Sequence, residues 1–187
     1  MLGRKHVADI VESAVWFAAL YSAVLLSAAI IQPISRDALV WSGILALVLV
    51  LASAIDVRVF VLPNVLMLPL IVLGLSACMA LAPTSLPWHV GATVAAYAFF
   101  EGINAAYRQI RGRTGLGGGD SKLFAASGSW LGLHALPTVL LLACATALAV
   151  VAWSGFRHGS VTVTKRIAFG PHLAIATWIV WVLALAG

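Results

Sequence analysis

Long apolar segments recur along the whole chain and are separated by short polar ones. A helix that crosses a bilayer needs about 20 mostly apolar residues. Most of these segments reach that length, but the fifth has only about 14 residues and is expected to be tilted, to thin the bilayer locally or to start below the headgroup level. The pattern predicts an all-α, polytopic membrane helix bundle of about seven spans, one of them short. The predicted segments are residues 10–32, 38–55, 63–82, 88–107, 120–133, 136–154 and 168–186.

Composition agrees with this pattern. Of the 187 residues, 63% are hydrophobic and 9% are charged, whereas a soluble domain has about 25% charged residues. A soluble fold is therefore excluded, and the lipid bilayer is the expected surrounding. The two cysteines, Cys78 and Cys144, belong to no metal-binding pattern, so neither a zinc site nor a disulfide framework is expected.

The basic residues predict the orientation of the chain. The net charge is +5, but these residues lie in short loops rather than on one surface, so nucleic acid is not an expected partner. With the N-terminus in the cytoplasm, one outer loop contains Arg36 alone and nearly all other basic residues fall on the inner side, as the positive-inside rule requires. These inner residues are Arg4, Lys5, Arg58, Arg108, Arg111, Arg113, Arg157, Lys165 and Arg166. Trp41, Trp88 and Trp130 are then expected at the outer interface.

Two of the six acidic residues draw attention. Asp56 ends the second apolar segment and Asp120 opens the fifth, so the predicted topology puts both at the cytoplasmic side. Two carboxylates that meet in a partly desolvated site cannot both ionise cheaply. Such a pair separates into a base and an acid, which suits peptide hydrolysis by an activated water. The alternative is that both are ordinary interfacial residues, paired with Arg58 and Lys122.

The other acids have simpler interpretations. Asp9 and Glu12 open the first helix and Asp37 lies in an outer turn. Glu101 lies within the fourth segment. It either assists the two aspartates or pairs with a basic residue such as Lys122, and structural pairing is the favoured interpretation.

Glycines precede Asp120 at positions 115 and 117–119. Glycine permits unusual backbone conformations and close approach of another chain, so this stretch either leaves room for an extended substrate or forms a flexible loop. A phosphate loop is excluded, because GxxxxGK[ST] is absent and aspartate replaces the third glycine of GxGxxG.

Two further stretches, Pro63-Asn64 and Gly170-Pro171, are typical of helix starts.

Three motifs together resemble the type IV prepilin peptidases. "GLGGGDSKLFAASGSWLG" (115–132) is similar to the GxGD segment of that family, "DVRVFVLPN" (56–64) to its first aspartate motif, and "FGP" (169–171) to the start of its last span. The resemblance implies an aspartic endopeptidase of the bacterial inner membrane. Such enzymes remove the short basic leader of pilin or pseudopilin precursors on the cytoplasmic side.

Carried over by match, Asp56 and Asp120 are the catalytic pair and Gly117 and Gly119 are the motif glycines. Lys122 takes the basic position that follows and is expected to support the site electrostatically. Pro63, Asn64, Gly170 and Pro171 complete the three motifs. No cofactor or metal is expected.

The resemblance begins near residue 38. We therefore expect an additional N-terminal span in residues 1–37 and the peptidase membrane core in residues 38–187. Larger family members have a domain with paired CxxC motifs that N-methylates the product. No such motif occurs here, so we expect a short form without methyltransferase activity. His172 stands where an apolar residue often follows FGP.

Two other functions remain open from the sequence. One is an intramembrane protease of the presenilin or signal-peptide-peptidase type, which also uses a GxGD motif but cuts within spans. The other is a proton-coupled transporter or a scaffold subunit, although such proteins often show internal repeats and this chain shows none.

Overall fold

The structure is a computed structural model that describes residues 4–31, 35–112, 117–158 and 168–186. Within these ranges it is all-helical, as predicted, and contains seven α-helices and no strand. They are α1 (Arg4–Ile31), α2 (Arg36–Val59), α3 (Asn64–Leu81), α4 (Leu86–Arg111), α5 (Gly118–Leu131), α6 (Leu136–His158) and α7 (Gly170–Ala186). The predictions for Arg113, Gly115, Lys165 and Arg166 lie outside the described residues.

Each predicted apolar segment corresponds to one helix, with shifts at the ends. The largest shift is at the start of α1, six residues earlier than predicted, and α2, α4 and α6 each end four residues later than predicted. By length and composition, three of the described helical segments are apolar enough to cross a membrane. These are α2, α3 and residues Leu133–Trp153, and α7 is a shorter apolar helix. The count of seven spans and the cytoplasmic N-terminus stay predictions.

Short connections gather several helix ends at one end of the bundle. Single 3-10 turns join α3 to α4 (Pro83–Ser85) and α5 to α6 (Leu133–Ala135). At the other end, α2 is followed by its C-cap residue Phe60. Phe60 has a left-handed backbone (φ 54°), and its N–H donates to the Asp56 carbonyl. Only residues 60–63 separate α2 from α3. The C-terminus of α2 and the N-terminus of α3 therefore share one end. The N-terminus of α5 lies at the same end, because Lys122 near its start is hydrogen-bonded to Asn64.

The short helix α5 is the centre of the bundle and packs against α3, α4 and α7. Its residues 123–130 are buried on all sides. Small residues allow the close packing: a Cβ atom built on Gly128 would lie 2.7 Å from the carbonyl oxygen of Ala92 in α4. Because neighbouring helices cover it, α5 does not need the length of a lipid-facing span.

The burial of α5 also corrects the expectation for Trp130. Its side chain is buried, and its Nε1–H donates to the Leu70 carbonyl at 2.9 Å. It packs edge-on against Trp41 and Trp181. The prediction of an interfacial role for Trp130 was wrong, because an indole at a span end can equally fill a helix–helix interface when a backbone carbonyl accepts its N–H.

Candidate active site

Asp56 lies in the last turn of α2 and is 5% exposed. Its Oδ2 accepts a hydrogen bond from the backbone N–H of Gly170 at 3.1 Å. Gly170 is the first residue of α7, where the N–H groups lack partners within the helix and the helix dipole is positive. The N-terminus of α7 therefore holds the buried carboxylate and offsets part of its charge. A Cβ atom at position 170 would lie 2.5 Å from Oδ2, so any larger residue there would displace the carboxylate.

Asp120 is the third residue of α5 and is partly buried. Its carboxylate accepts a hydrogen bond from the backbone N–H of Gly117, the N-cap residue. This is one half of a capping box, in which the third helical residue reaches back to the N-cap. The aspartate is thus fixed by the start of its own helix. A Cβ atom at Gly117 would lie 3.1 Å from Oδ2, which leaves little room for a side chain there.

The structure brings the two predicted aspartates together. Asp56 and Asp120 lie at the same end of the bundle, near enough for their charges to interact. Leu62, which is buried, lies between the helix starts that hold them: its Cβ is against Gly119 and its Cδ1 is against Gly170. Sequence reasoning missed Leu62. The only signal in the sequence was an apolar residue, between Val61 and Pro63, in the short connection after Asp56.

The described glycines of the GxGD motif do not adopt left-handed conformations. Gly117 has an extended backbone (φ −67°, ψ 135°), and Gly118 and Gly119 are helical. At Gly119 the missing side chain serves close packing, since a Cβ there would lie 2.6 Å from the Cβ of Leu62. The space that the sequence suggested for a substrate is, at Gly119, filled by a residue of the chain itself.

Lys122 and Asn64 connect the two aspartate motifs. The Lys122 Nζ donates a hydrogen bond to Asn64 Oδ1 at 2.5 Å, which joins α5 to the first residue of α3. Pro63 is the N-cap of α3, as its predicted role at a helix start requires. The pairing of Asp120 with Lys122 that the sequence left open is not found among the described residues, where the hydrogen bond of Lys122 goes to Asn64.

The remaining candidates lie around this centre. Pro171 is buried in the first turn of α7. His172 follows it, and its Nδ1 lies 3.2 Å from Thr146 Oγ1 of α6, which ties the start of α7 to that helix. Glu101 is partly exposed in α4, and among the described residues no partner is found for its carboxylate. In the same ranges, no group of three or more His, Cys, Asp or Glu side chains is placed to hold a metal ion.

Comparison with known proteins assigns the chain to a family. Residues 43–152, which include both aspartates, match the family model described as the type IV leader peptidase family. The chain belongs to the type IV leader peptidase family. The match begins within α2 and covers α3, α4, α5 and most of α6, whereas α1 and α7 lie outside it. Asp56 of the family core is thus held by Gly170, which the family match does not include.

Curated relatives agree with the family assignment. The chain is 40% identical over 130 residues to a prepilin leader peptidase/N-methyltransferase of Dickeya chrysanthemi, covering 69% of this chain and 45% of that protein. It is 40% identical over 147 residues to the protein of that name from Xanthomonas campestris pv. campestris (75% and 50%). The Neisseria gonorrhoeae protein is 34% identical over 138 residues (74% and 46%). The chain spans about half the length of the curated relatives it matches, and no solved structure matches it.

Proposed function

We propose that this protein is a membrane-embedded aspartic endopeptidase that removes the leader of pilin-like precursors. The observation that carries the proposal is the meeting of Asp56 and Asp120 at one end of the bundle, with each carboxylate held by a backbone N–H at a helix start. Family membership supports the reaction class. The names of the relatives support the precursor as substrate.

In the proposed reaction the two carboxylates share one proton. The ionised carboxylate takes a proton from a water molecule while the water oxygen bonds to the scissile carbonyl carbon. The protonated carboxyl donates its hydrogen bond to the carbonyl oxygen and stabilises the tetrahedral intermediate. A proton then passes to the amide nitrogen, the C–N bond breaks, and a carboxylic acid and an amine are released. Fixed helix starts suit this chemistry, since the carboxylates need no reorientation during the reaction.

The surroundings of Asp56 fit a substrate with an apolar helix. Val59, Phe60 and Val61, in and after the last turn of α2, expose between 40% and 55% of their surface. These three side chains form an apolar surface at the predicted cytoplasmic interface. The first apolar residues of the precursor after its leader would lie beside this surface. We therefore propose that the leader junction reaches the aspartates from this side, in the inner membrane and facing the cytoplasm.

The proposed peptidase core is residues 38–187, and residues 1–37 contribute α1. This helix packs on α2 and α7. The Trp178 Nε1–H of α7 donates to the Tyr21 carbonyl at 3.1 Å, and Arg58 donates to Ser13 Oγ at 3.2 Å. The proposed role of α1 is to support α2 and α7, the two helices that hold Asp56.

Co-expression with a candidate pilin precursor tests the proposal, with loss of the leader read by gel shift. We expect Asp56→Asn and Asp120→Asn each to reduce the cleavage rate by about 10²–10⁴-fold, which is the usual contribution of a general acid or base. Asp37→Asn is the matched control, because Asp37 is exposed at the opposite end of α2. Full cleavage by either asparagine variant of the pair, in protein that is folded and inserted, would refute the assignment.

Mapping the cut separates this function from the alternatives. A cut at the leader junction supports a prepilin-type peptidase. A cut within the apolar helix would instead identify an intramembrane protease of the presenilin type. Absence of cleavage together with proton-coupled uptake in vesicles would identify a transporter.

A further inference from the structure

Leu62 occupies the space between the two aspartate-bearing parts of the molecule. The chain leaves α2 at Phe60 and starts α3 after Pro63, and of the two residues between them Val61 is exposed whereas Leu62 is only 6% exposed. The exposed position next to it shows that burial is not a general property of this connection. The Leu62 side chain alone turns inward.

The two ends of the Leu62 side chain contact different helix starts. A Cβ atom built on Gly119 would lie 2.6 Å from Leu62 Cβ, so the first turn of α5 rests directly on the base of the leucine. A Cβ atom built on Gly170 would lie 3.2 Å from Leu62 Cδ1, so the start of α7 rests on its tip. Gly119 precedes Asp120, and the N–H of Gly170 holds Asp56.

We infer that Leu62 is a positioning residue that sets the separation of the two carboxylates, an inference that rests on the proposed function. The leucine acts as a spacer of one side-chain length between the start of α5 and the start of α7. Protein interiors are densely packed, so the length of a side chain with contacts at both ends sets the distance between the two elements that it separates. Leu62 need not touch the substrate, because its effect passes through Gly119 to Asp120 and through Gly170 to Asp56.

Three substitutions at position 62 distinguish a spacer from a residue that merely adds stability. Leu62→Ala keeps the Cβ against Gly119 but removes the tip against Gly170. Leu62→Met keeps an unbranched Cβ, length and volume. Leu62→Ile keeps the same number of atoms but moves the branch of the side chain from Cγ to Cβ. The Cβ is the atom that Gly119 already contacts closely.

We expect turnover to follow the geometry rather than the amount of apolar surface. A misplacement of 1 Å in an active site lowers the rate by about 10²-fold, so Leu62→Ala should lower kcat by about that factor with little change in KM. Leu62→Met should retain most of the parent kcat, and Leu62→Ile should lose activity as Leu62→Ala does. Leu45→Ala, which truncates a fully buried leucine about three turns from Asp56 in α2, is the matched control. It should lower thermal stability but leave kcat per folded molecule unchanged.

Thiol cross-linking tests the spacing without relying on catalysis. Cysteines are placed at positions 56 and 120, after replacement of Cys78 and Cys144, and are joined by a short bifunctional thiol reagent. The rate of joining should change several-fold when Leu62→Ala is added and should not change when Leu62→Met is added. This measurement remains valid even if the Asp56→Asn and Asp120→Asn variants disprove the peptidase function.

The outcomes separate the two proposals. Three results would each overturn the spacer role and leave the peptidase function in place. They are a kcat of Leu62→Ala equal to that of the parent, equal activities of Leu62→Ile and Leu62→Met, and an unchanged cross-linking rate in Leu62→Ala. If Leu62→Ala fails to accumulate, the comparison of the isoleucine and methionine variants decides.

Discussion

Gly170→Ala is the sharpest single test of how the site is held. The new Cβ would lie 2.5 Å from Asp56 Oδ2 and 3.0 Å from its Cγ. An ordinary contact begins at 3.4 Å, so the carboxylate must retreat by about 0.9 Å. The hydrogen bond from the Gly170 N–H, now 3.1 Å long, is then stretched beyond normal length.

Two independent magnitudes predict the size of the effect. A hydrogen bond to a charged group contributes about 1.5–3 kcal/mol, and each 1.36 kcal/mol corresponds to about a tenfold change in rate. A displacement of about 1 Å has a similar cost, roughly 10²-fold. We therefore expect Gly170→Ala to lower kcat by about 10- to 100-fold. The backbone at Gly170 is not in the left-handed region, so alanine introduces no backbone strain and the effect is steric.

The assay is the initial rate of precursor cleavage by purified protein in detergent, at substrate concentrations above and below KM. Gly102→Ala is the matched control, because a Cβ built there on α4 has nothing within 4 Å. That variant should keep the parent kcat and gain up to about 1 kcal/mol of stability from helix propensity. A folded Gly170→Ala protein whose kcat equals that of the parent would show that the contact between the start of α7 and Asp56 does not position the carboxylate.

Two predictions concern the packing around the site. Gly128→Ala should lower the free energy of unfolding by about 1–3 kcal/mol, because its Cβ would lie 2.7 Å from the Ala92 carbonyl oxygen; a thermal denaturation equal to that of Gly91→Ala, whose Cβ meets no atom within 4 Å, would contradict it. Asn64→Ala and Lys122→Met should each destabilise the protein and show a coupling of about 1 kcal/mol in a double-mutant cycle. Strictly additive effects would mean that their hydrogen bond contributes nothing.

Local chemistry made several features of this protein predictable. Seven apolar segments became seven helices within the described residues, because burial of apolar side chains and internal backbone hydrogen bonding both depend on the sequence nearby. Pro63 and Gly170 stand at helix starts as expected, since proline and glycine restrict or permit backbone conformations by themselves. The meeting of Asp56 and Asp120 was predictable in part, because helices of alternating direction bring every second connection to the same end of a bundle.

Other features depended on which helices become neighbours. Trp130 was expected at the lipid interface, and the short fifth segment was expected to be tilted, to thin the bilayer or to start below the headgroup level. In the structure α5 is covered by α3, α4 and α7. Hydropathy does not distinguish lipid from protein as the surrounding of an apolar helix, because both are apolar. Glu101 was expected to have a partner within reach, and among the described residues the basic group of Lys122 is instead bonded to Asn64.

The sequence by itself determined the helices, their order and the two acidic residues at shared ends of the bundle, because those follow from local hydropathy and from the alternating direction of successive helices. Only the tertiary structure decided what holds the acids: the N–H of Gly170 on Asp56, the N–H of Gly117 on Asp120, and Leu62 between Gly119 and Gly170. Positions 56 and 170 are 114 residues apart. A contact over that separation depends on how several helices pack at once, and no local pattern in the chain encodes it.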